Sequence, residues 1–197
     1  MMVEVPLKCS CGKVKGTAYN VSPDNGTRVV CYCKSCQDFA NSLENNKTTL
    51  NDHGGTDIFQ ITPAQVEITH GRAQLRCLRL SEKGTYRWYT DCCKTPVGNM
   101  AGPGLPFIGV VHTFMDDGDN RDKYLGPVKY SVMEKDASPK SNLPKAKISS
   151  NKFPPGLLLT IIPRMILNKI RGRNQPNAFF QPDGTPVSPP FIQPVQS

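Results

Sequence analysis

Seven of the eight cysteines in this 197-residue chain fall into three short clusters, and their spacing constrains the fold more than any other sequence feature. The clusters are Cys9-Ser10-Cys11-Gly12, Cys31-Tyr32-Cys33-Lys34-Ser35-Cys36 and the adjacent pair Cys92-Cys93. The remaining thiol, Cys77, lies in the stretch LRCLRL, where we expect a buried small apolar side chain. The clustered thiols must be cross-linked, metal-binding or catalytic.

The N-terminal stretch MMVEVPLKCS lacks the basic and then apolar pattern of a secretion signal. We therefore expect a reducing, cytoplasmic compartment, in which clustered thiols are more often metal ligands or catalytic groups than disulfides. Eight cysteines are also too few, in a chain of this length, for a disulfide-stapled mini-protein. A redox switch made by the C-x-x-C pair Cys33 and Cys36 is a further alternative.

The first and third clusters together offer four thiolates, the number that a structural zinc ion requires. Cys9 and Cys11 with Cys92 and Cys93 would connect an early turn to a late one and so contribute to folding. Neighbours on an extended strand point to opposite faces, so only one of the adjacent pair need be a ligand, and Cys93 is the better candidate.

The second cluster provides three ligands, Cys31, Cys33 and Cys36, and no obvious fourth. Three protein ligands with an open position are typical of a reactive zinc site. The sequence therefore predicts one structural zinc ion and one catalytic zinc ion. Within the cluster, Tyr32, Lys34 and Ser35 are candidate donors to an oxyanion.

The body of the chain, residues 1–135, reads as a mainly β domain. Apolar residues alternate with polar ones, or form short β-branched runs, between turns rich in Gly, Asp and Asn. The predicted strands lie in KVKGTAYNV, TRVVCYC, DIFQITPAQVEIT, QLRCLRL, TYRWYT and FIGVVHTF. With 18 prolines and 16 glycines, the composition also favours short strands over long helices.

The C-terminal part divides into a polar linker at 136–152 and, at 153–197, a helix followed by an extended tail. The stretch GLLLTIIPRMILNKI predicts a helix that is kinked at Pro163, with Pro154 and Pro155 just before its start. It is too short to span a bilayer. This helix would pack on the body or on a second subunit, making a homodimer, or would lie in a membrane interface with Lys169, Arg171 and Arg173 at its end.

The basic residues are concentrated in the tail. Residues 1–135 carry 16 Lys and Arg against 14 Asp and Glu, whereas 136–197 carry eight against two. No nucleic-acid-binding motif accompanies this charge, so we expect no specific nucleic-acid partner.

The cluster sequence resembles the family of glutathione-dependent formaldehyde-activating enzymes and centromere protein V, whose pattern is CxCG, CxCxxC and CxxCGTP. Cys9-Ser-Cys11-Gly12 and Cys31-Tyr-Cys33-Lys-Ser-Cys36 match the first two motifs completely. The third motif is altered in TDCCKTP, where Thr90 stands at its first cysteine, Cys93 at its second, and Cys92 is a substitute two residues later. The chain would form a divergent branch of that family.

This resemblance implies a β-tent fold, a structural zinc held by Cys9, Cys11, Cys93 and Cys92, and a catalytic zinc held by Cys31, Cys33 and Cys36. It also implies a carbon–sulfur lyase that acts on an adduct of glutathione, or a similar thiol, with a small aldehyde. The alternative is a non-catalytic zinc-binding module that binds a protein or another partner, an interpretation favoured by the basic tail and the altered third motif.

Overall fold

A computed structural model describes residues 3–115, 118 and 121–193 of the chain. Twelve strands in this part of the chain form two sheets. The smaller sheet has three strands, ordered β1-β2-β5, all paired antiparallel. Its strands are β1 (Val3–Lys8), β2 (Lys15–Val21) and β5 (Val66–His70). The sequence-based prediction of a mainly β fold is confirmed.

The larger sheet contains nine of the described strands, ordered β11-β10-β3-β4-β9-β8-β7-β6-β12. From β3 to β6 the neighbours pair antiparallel, while β10, β11 and β12 add in parallel at the two edges. The strands are β3 (Thr27–Cys31), β4 (Thr56–Ile61), β6 (Leu75–Arg79), β7 (Tyr86–Thr90), β8 (Pro96–Met100), β9 (Ile108–Val111), β10 (Tyr130–Val132), β11 (Ile148–Ser150) and β12 (Pro190–Ile192).

Four α-helices lie in the described residues: α1 (Lys34–Ser42), α2 (Asn46–Thr49), α3 (Arg121–Leu125) and α4 (Pro155–Ile170). Short 3-10 turns cover Pro63–Gln65, Arg72–Gln74, His112–Phe114 and Glu134–Asp136. The helix predicted in the C-terminal part is present as α4, with Pro155 at its first position, where a proline costs no hydrogen bond. No helix among the described residues is long and apolar enough to cross a bilayer.

The main core lies between the two sheets and includes part of the C-terminal tail. Trp88 of β7 is fully buried and contacts two tail residues, Phe179 and Phe180, with ring centroids 5.3 Å and 5.6 Å away. Aromatic pairs at such distances add to the free energy of burial. Cys77 is also buried in this core, as its apolar surroundings predicted. The tail is therefore part of the folded body up to β12; residues 194–197 lie outside the described part.

Candidate metal centres

The first cysteine group joins two turns that are far apart in sequence. Cys9 and Cys11 follow β1, and Gly12 takes a φ of +75°, a left-handed conformation that favours glycine and returns the chain towards β2. Cys92 and Cys93 lie in the turn between β7 and β8. All four sulfur atoms lie within 4.8 Å of one another, so the structure brings the four predicted ligands together.

The sulfur separations fit a tetrahedral metal site. The Sγ atoms of Cys9 and Cys11 are 3.6 Å apart, and Cys92 Sγ lies 3.8 Å from the first and 3.4 Å from the second. Cys93 Sγ is 3.7 Å from Cys92 Sγ. Four sulfurs each about 2.3 Å from a zinc ion would be about 3.8 Å apart. A disulfide needs a separation of about 2.05 Å, and all four thiols are free.

Hydroxyl and amide donors surround the sulfur atoms of this group. Val14 N–H donates to Cys9 Sγ across 3.2 Å. Burial opposes ionisation of Cys93, but hydrogen bonds from Ser10, Thr90 and Thr95 outweigh it and lower the pKa of Cys93 to about 5. This environment favours the thiolate, the form in which cysteine binds a metal ion.

The neighbouring thiol Cys92 has the opposite tendency. Burial raises the pKa of Cys92 to about 12, and hydrogen bonds to Cys11 and Cys93 act in the same direction. A metal ion deprotonates a coordinating thiol outright, so the group as a whole can still supply four thiolates.

The turn that carries Cys92 and Cys93 is fixed by threonines. Thr95 Oγ1 accepts a hydrogen bond from the backbone N–H of Ser10 at 3.0 Å, which ties the two cysteine turns together. Thr90, buried at the end of β7, has its hydroxyl 3.3 Å from Cys93 Sγ. Lys94 has a φ of 56°, in the left-handed region that glycine adopts more readily.

The second cysteine group is local in sequence. Cys31 ends β3, Cys33 is the N-cap of α1, and Cys36 lies in the first turn of that helix. The backbone N–H of Cys36 donates to Cys33 O at 2.9 Å, which turns the chain so that the three sulfurs lie within 4.8 Å of one another. No His, Asp, Glu or further Cys of the described residues joins this group.

The three thiols of the second group shift one another's pKa because they are buried close together. A hydrogen bond from Cys31 lowers the pKa of Cys33, and the same bond raises the pKa of Cys31. The hydrogen bond from Cys31 also acts to lower the pKa of Cys36, but Cys33 and burial outweigh it and raise that pKa to about 11. The arrangement favours at least one thiolate in the group.

Arg87 of β7 is a buried cation beside the second group, and sequence reasoning missed it. Its side chain donates to Cys36 Sγ at 3.9 Å, to Ser35 Oγ at 3.0 Å and to Asn99 Oδ1 at 3.2 Å. Arg87 is 6% exposed, and among the described residues no carboxylate lies within ion-pair distance of it. A buried guanidinium needs a compensating negative charge, which thiolates of this group can provide.

The three candidate oxyanion donors occupy different environments. Ser35 lies beside the sulfurs, with its hydroxyl 3.3 Å from Cys33 Sγ. Tyr32 is fully buried in a separate cluster, and its hydroxyl accepts a hydrogen bond from Asn51 at 3.2 Å. Lys34 is exposed at the start of α1. Of the three, Ser35 is the one that the structure places at the sulfur group.

The C-terminal helix reaches the second group. Leu157 of α4 is 1% exposed and packs in one apolar cluster with Cys31 and Cys36, and Ile161 packs against the same cluster. Residues of β3, α1 and α4 therefore share one apolar cluster at the second group, and Arg87 of β7 lies beside it.

These features define a mainly β protein with two cysteine groups that could each hold a metal ion. The chain belongs to a protein family of unknown function designated DUF6151, whose sequence profile matches residues 1–189. A crystal structure of a Rhodobacter sphaeroides protein is similar at a TM-score of 0.40 and 15% identity, covering 64% of this chain and 97% of that one. No curated protein gives a significant match.

Proposed function

We propose that this protein is a zinc-dependent enzyme of the carbon–sulfur lyase class. Its substrate would be the adduct of a small aldehyde with glutathione or a similar thiol. The reaction class comes from the resemblance of the cysteine motifs to glutathione-dependent formaldehyde-activating enzymes. Zinc is the metal of choice because all the candidate ligands are thiolates.

One observation carries this proposal: the three sulfurs of Cys31, Cys33 and Cys36 lie together without a fourth protein ligand among the described residues. A structural zinc site is closed by four protein ligands, whereas a catalytic one keeps a position for a guest. Three thiolates around a divalent ion leave one net negative charge, which the buried Arg87 would balance. We assign the structural role to the group of four.

The proposed reaction forms or breaks one carbon–sulfur bond without oxidation. In the forward direction the substrate thiol sulfur bonds to the aldehyde carbon, and the thiol proton ends on the former carbonyl oxygen. A bound zinc ion would supply a lowered pKa for the substrate thiol. Arg87 and the Ser35 hydroxyl lie beside the sulfurs and would donate hydrogen bonds to the negative charge that develops on oxygen.

A second candidate function is a zinc-binding module without catalysis. The packing of Leu157 in the same apolar cluster as Cys31 and Cys36 favours it, because an apolar side chain there limits the room near the sulfurs. The shifted third motif, with Cys92 in place of a cysteine at position 90, is a further departure from the enzyme pattern. In this alternative the zinc ions only stabilise the fold and a partner binds elsewhere.

Native mass spectrometry of the reduced protein with and without glutathione distinguishes the two functions. We expect two zinc ions per chain, and one glutathione that is retained only when the second group is intact. Cys36→Ser should remove both the second zinc ion and the glutathione, whereas Cys77→Ala, which changes a core thiol outside both groups, should leave both unchanged. Two tightly held zinc ions with no glutathione adduct would contradict the enzyme and support the module.

The role of Arg87 gives this experiment a second arm. Arg87→Gln should weaken glutathione binding by about tenfold or more, since a hydrogen bond to a charged group contributes about 1.5–3 kcal/mol. Arg87→Lys keeps the positive charge but not the planar set of guanidinium donors, and it should lose less glutathione affinity than Arg87→Gln. Equal glutathione affinity in the wild type and both variants would show that Arg87 does not contribute to glutathione binding.

A further inference from the structure

Helix α4 has its polar residues on the side that faces the protein body. Thr160, Arg164 and Asn168 recur every four residues and so share one face. Arg164 donates to Thr27 Oγ1 at 3.0 Å and to Asp24 O at 3.1 Å. The Thr160 hydroxyl lies 3.3 Å from the Tyr130 hydroxyl. These contacts fix the rotation of the helix about its axis.

The opposite side of the helix is apolar and exposed to solvent. Ile170 is 79% exposed, Leu159 74%, Ile166 57% and Ile162 50%. The other exposed large apolar side chains of α4 are Leu158 and Leu167. We call this set of six side chains the outer face. A helix on the surface of a soluble protein normally presents polar residues to solvent. Contiguous exposed apolar surface marks an interaction site.

The charged residues that flank α4 in the sequence are of one sign. Residues 137–182 contain no Asp or Glu and eight Lys or Arg: Lys140, Lys145, Lys147, Lys152, Arg164, Lys169, Arg171 and Arg173. Lys152 lies just before the helix, and Lys169, Arg171 and Arg173 lie at its C-terminal end, all of them exposed. The partner should therefore combine an apolar layer with negative charge.

We infer that the outer face of α4 docks on the surface of a membrane that contains anionic lipid. An apolar helix face flanked by Lys and Arg is the pattern of a helix that lies in the plane of a bilayer interface. Anionic lipid headgroups would attract the Lys and Arg side chains that flank α4. The outer face would insert at the boundary between the headgroups and the acyl chains. A symmetric dimer through the same face would bring two identical basic segments together, which is unfavourable.

Vesicle co-sedimentation of the full chain tests this inference. We expect binding to phosphatidylcholine vesicles that contain about one third phosphatidylserine, weaker binding at high salt, and little binding to pure phosphatidylcholine. Arg171→Gln with Arg173→Gln should weaken binding by about fivefold per cation removed. Leu159→Gln with Ile170→Gln should weaken it by about tenfold or more.

Three controls make the outcome decisive. Phe191→Gln changes another exposed apolar side chain, on β12, and should leave vesicle binding unchanged. Circular dichroism should show that every variant keeps the wild-type fold, because the changed side chains are exposed. The inference is overturned if the wild type stays in the supernatant with anionic vesicles, or if it sediments regardless of the Leu159 and Ile170 changes. Light scattering that reveals a dimer abolished by those changes would also overturn it, in favour of a second copy.

Discussion

At the scale of single residues, the adjacent pair Cys92 and Cys93 shows how local conformation decides whether two neighbouring thiols can act together. On an extended strand their side chains would point apart, and the sequence therefore favoured Cys93 over Cys92 as a ligand. The structure places both in a turn, with the following residue Lys94 in the left-handed region, and their sulfurs are 3.7 Å apart. The turn therefore allows both sulfurs to lie in one group with those of Cys9 and Cys11.

Two variants test whether a cysteine at position 90 can replace Cys92 as a metal ligand. Cys92→Ser should reduce the zinc content of the four-sulfur group and lower stability, because three thiolates remain. Adding Thr90→Cys should restore both, since the Thr90 hydroxyl already lies 3.3 Å from Cys93 Sγ, close to the spacing of sulfurs around zinc. Zinc release followed with a chromogenic chelator, together with thermal unfolding, measures the effect. A double variant no better than Cys92→Ser would show that position 90 cannot supply a ligand.

Cysteine spacing predicted which thiols would lie together, because one or two residues between ligands keep them within one turn. The spacing could not predict that Arg87 lies beside the second group. A charged residue between aromatic ones in TYRWYT is a weak signal, and its meaning depends on the packing of β7 against α1, which are about fifty positions apart in sequence. Long-range contacts of this kind are set by the tertiary fold.

At the scale of elements, the two main helices differ in how well the sequence predicted them. Helix α4 was predicted because Pro155 and Pro154 mark its start and a long apolar run follows. Helix α1 was missed, since the cysteine spacing suggested a turn, and the chain in fact turns at Cys33 and continues as a helix from Lys34. Which side of α4 faces the protein body could not be predicted, because apolar residues occur on both sides of the helix.

The packing of Leu157 in the apolar cluster of the second cysteine group predicts a sharp difference between two leucines of α4 that lie two positions apart. Leu157→Ala removes a side chain that is 1% exposed and should lower the free energy of unfolding by about 2–4 kcal/mol. Leu159→Ala changes a side chain that is 74% exposed and should cost less than about 0.5 kcal/mol. Urea unfolding monitored by Trp88 fluorescence measures both. Equal losses would mean that α4 is not packed on the body through Leu157.

At the scale of the whole molecule, alternation of apolar and polar residues predicted strands but not their order. Strands β6 and β7 lie within the predicted stretches and pair as neighbours in sequence. Strands β10 and β11 at one end of the large sheet and β12 at the other have three residues each, too few to show alternation. They join the sheet through parallel pairs, β10 with β3 and β12 with β6, whose partners are distant in sequence. Their positions follow from packing and cannot be predicted from local pattern.

The two cysteine groups should contribute unequally to the stability of the whole molecule. Cys11 and Cys92, with sulfurs 3.4 Å apart, are 81 positions apart, so a metal ion shared by them closes a long loop between the two sheets. The loop-closure contribution of a cross-link over this length is about 4 kcal/mol, against about 2 kcal/mol for the short loop from Cys31 to Cys36. Loss of the first site should therefore weaken the contact between the two sheets, whereas loss of the second should destabilise only one turn.

Thermal unfolding of Cys11→Ser and Cys33→Ser, both loaded with zinc, measures this difference. Cys11→Ser should lower the stability by about 2 kcal/mol more than Cys33→Ser, which corresponds to a further fall in Tm of about 4–8 °C for a chain of this size. Addition of a strong chelator to the wild type should lower Tm at least as far as Cys11→Ser does, because it removes both ions. If Cys33→Ser proved as destabilising as Cys11→Ser, the assignment of the structural role to the four-sulfur group would be wrong, and the three-sulfur group would have to stabilise more than its own turn.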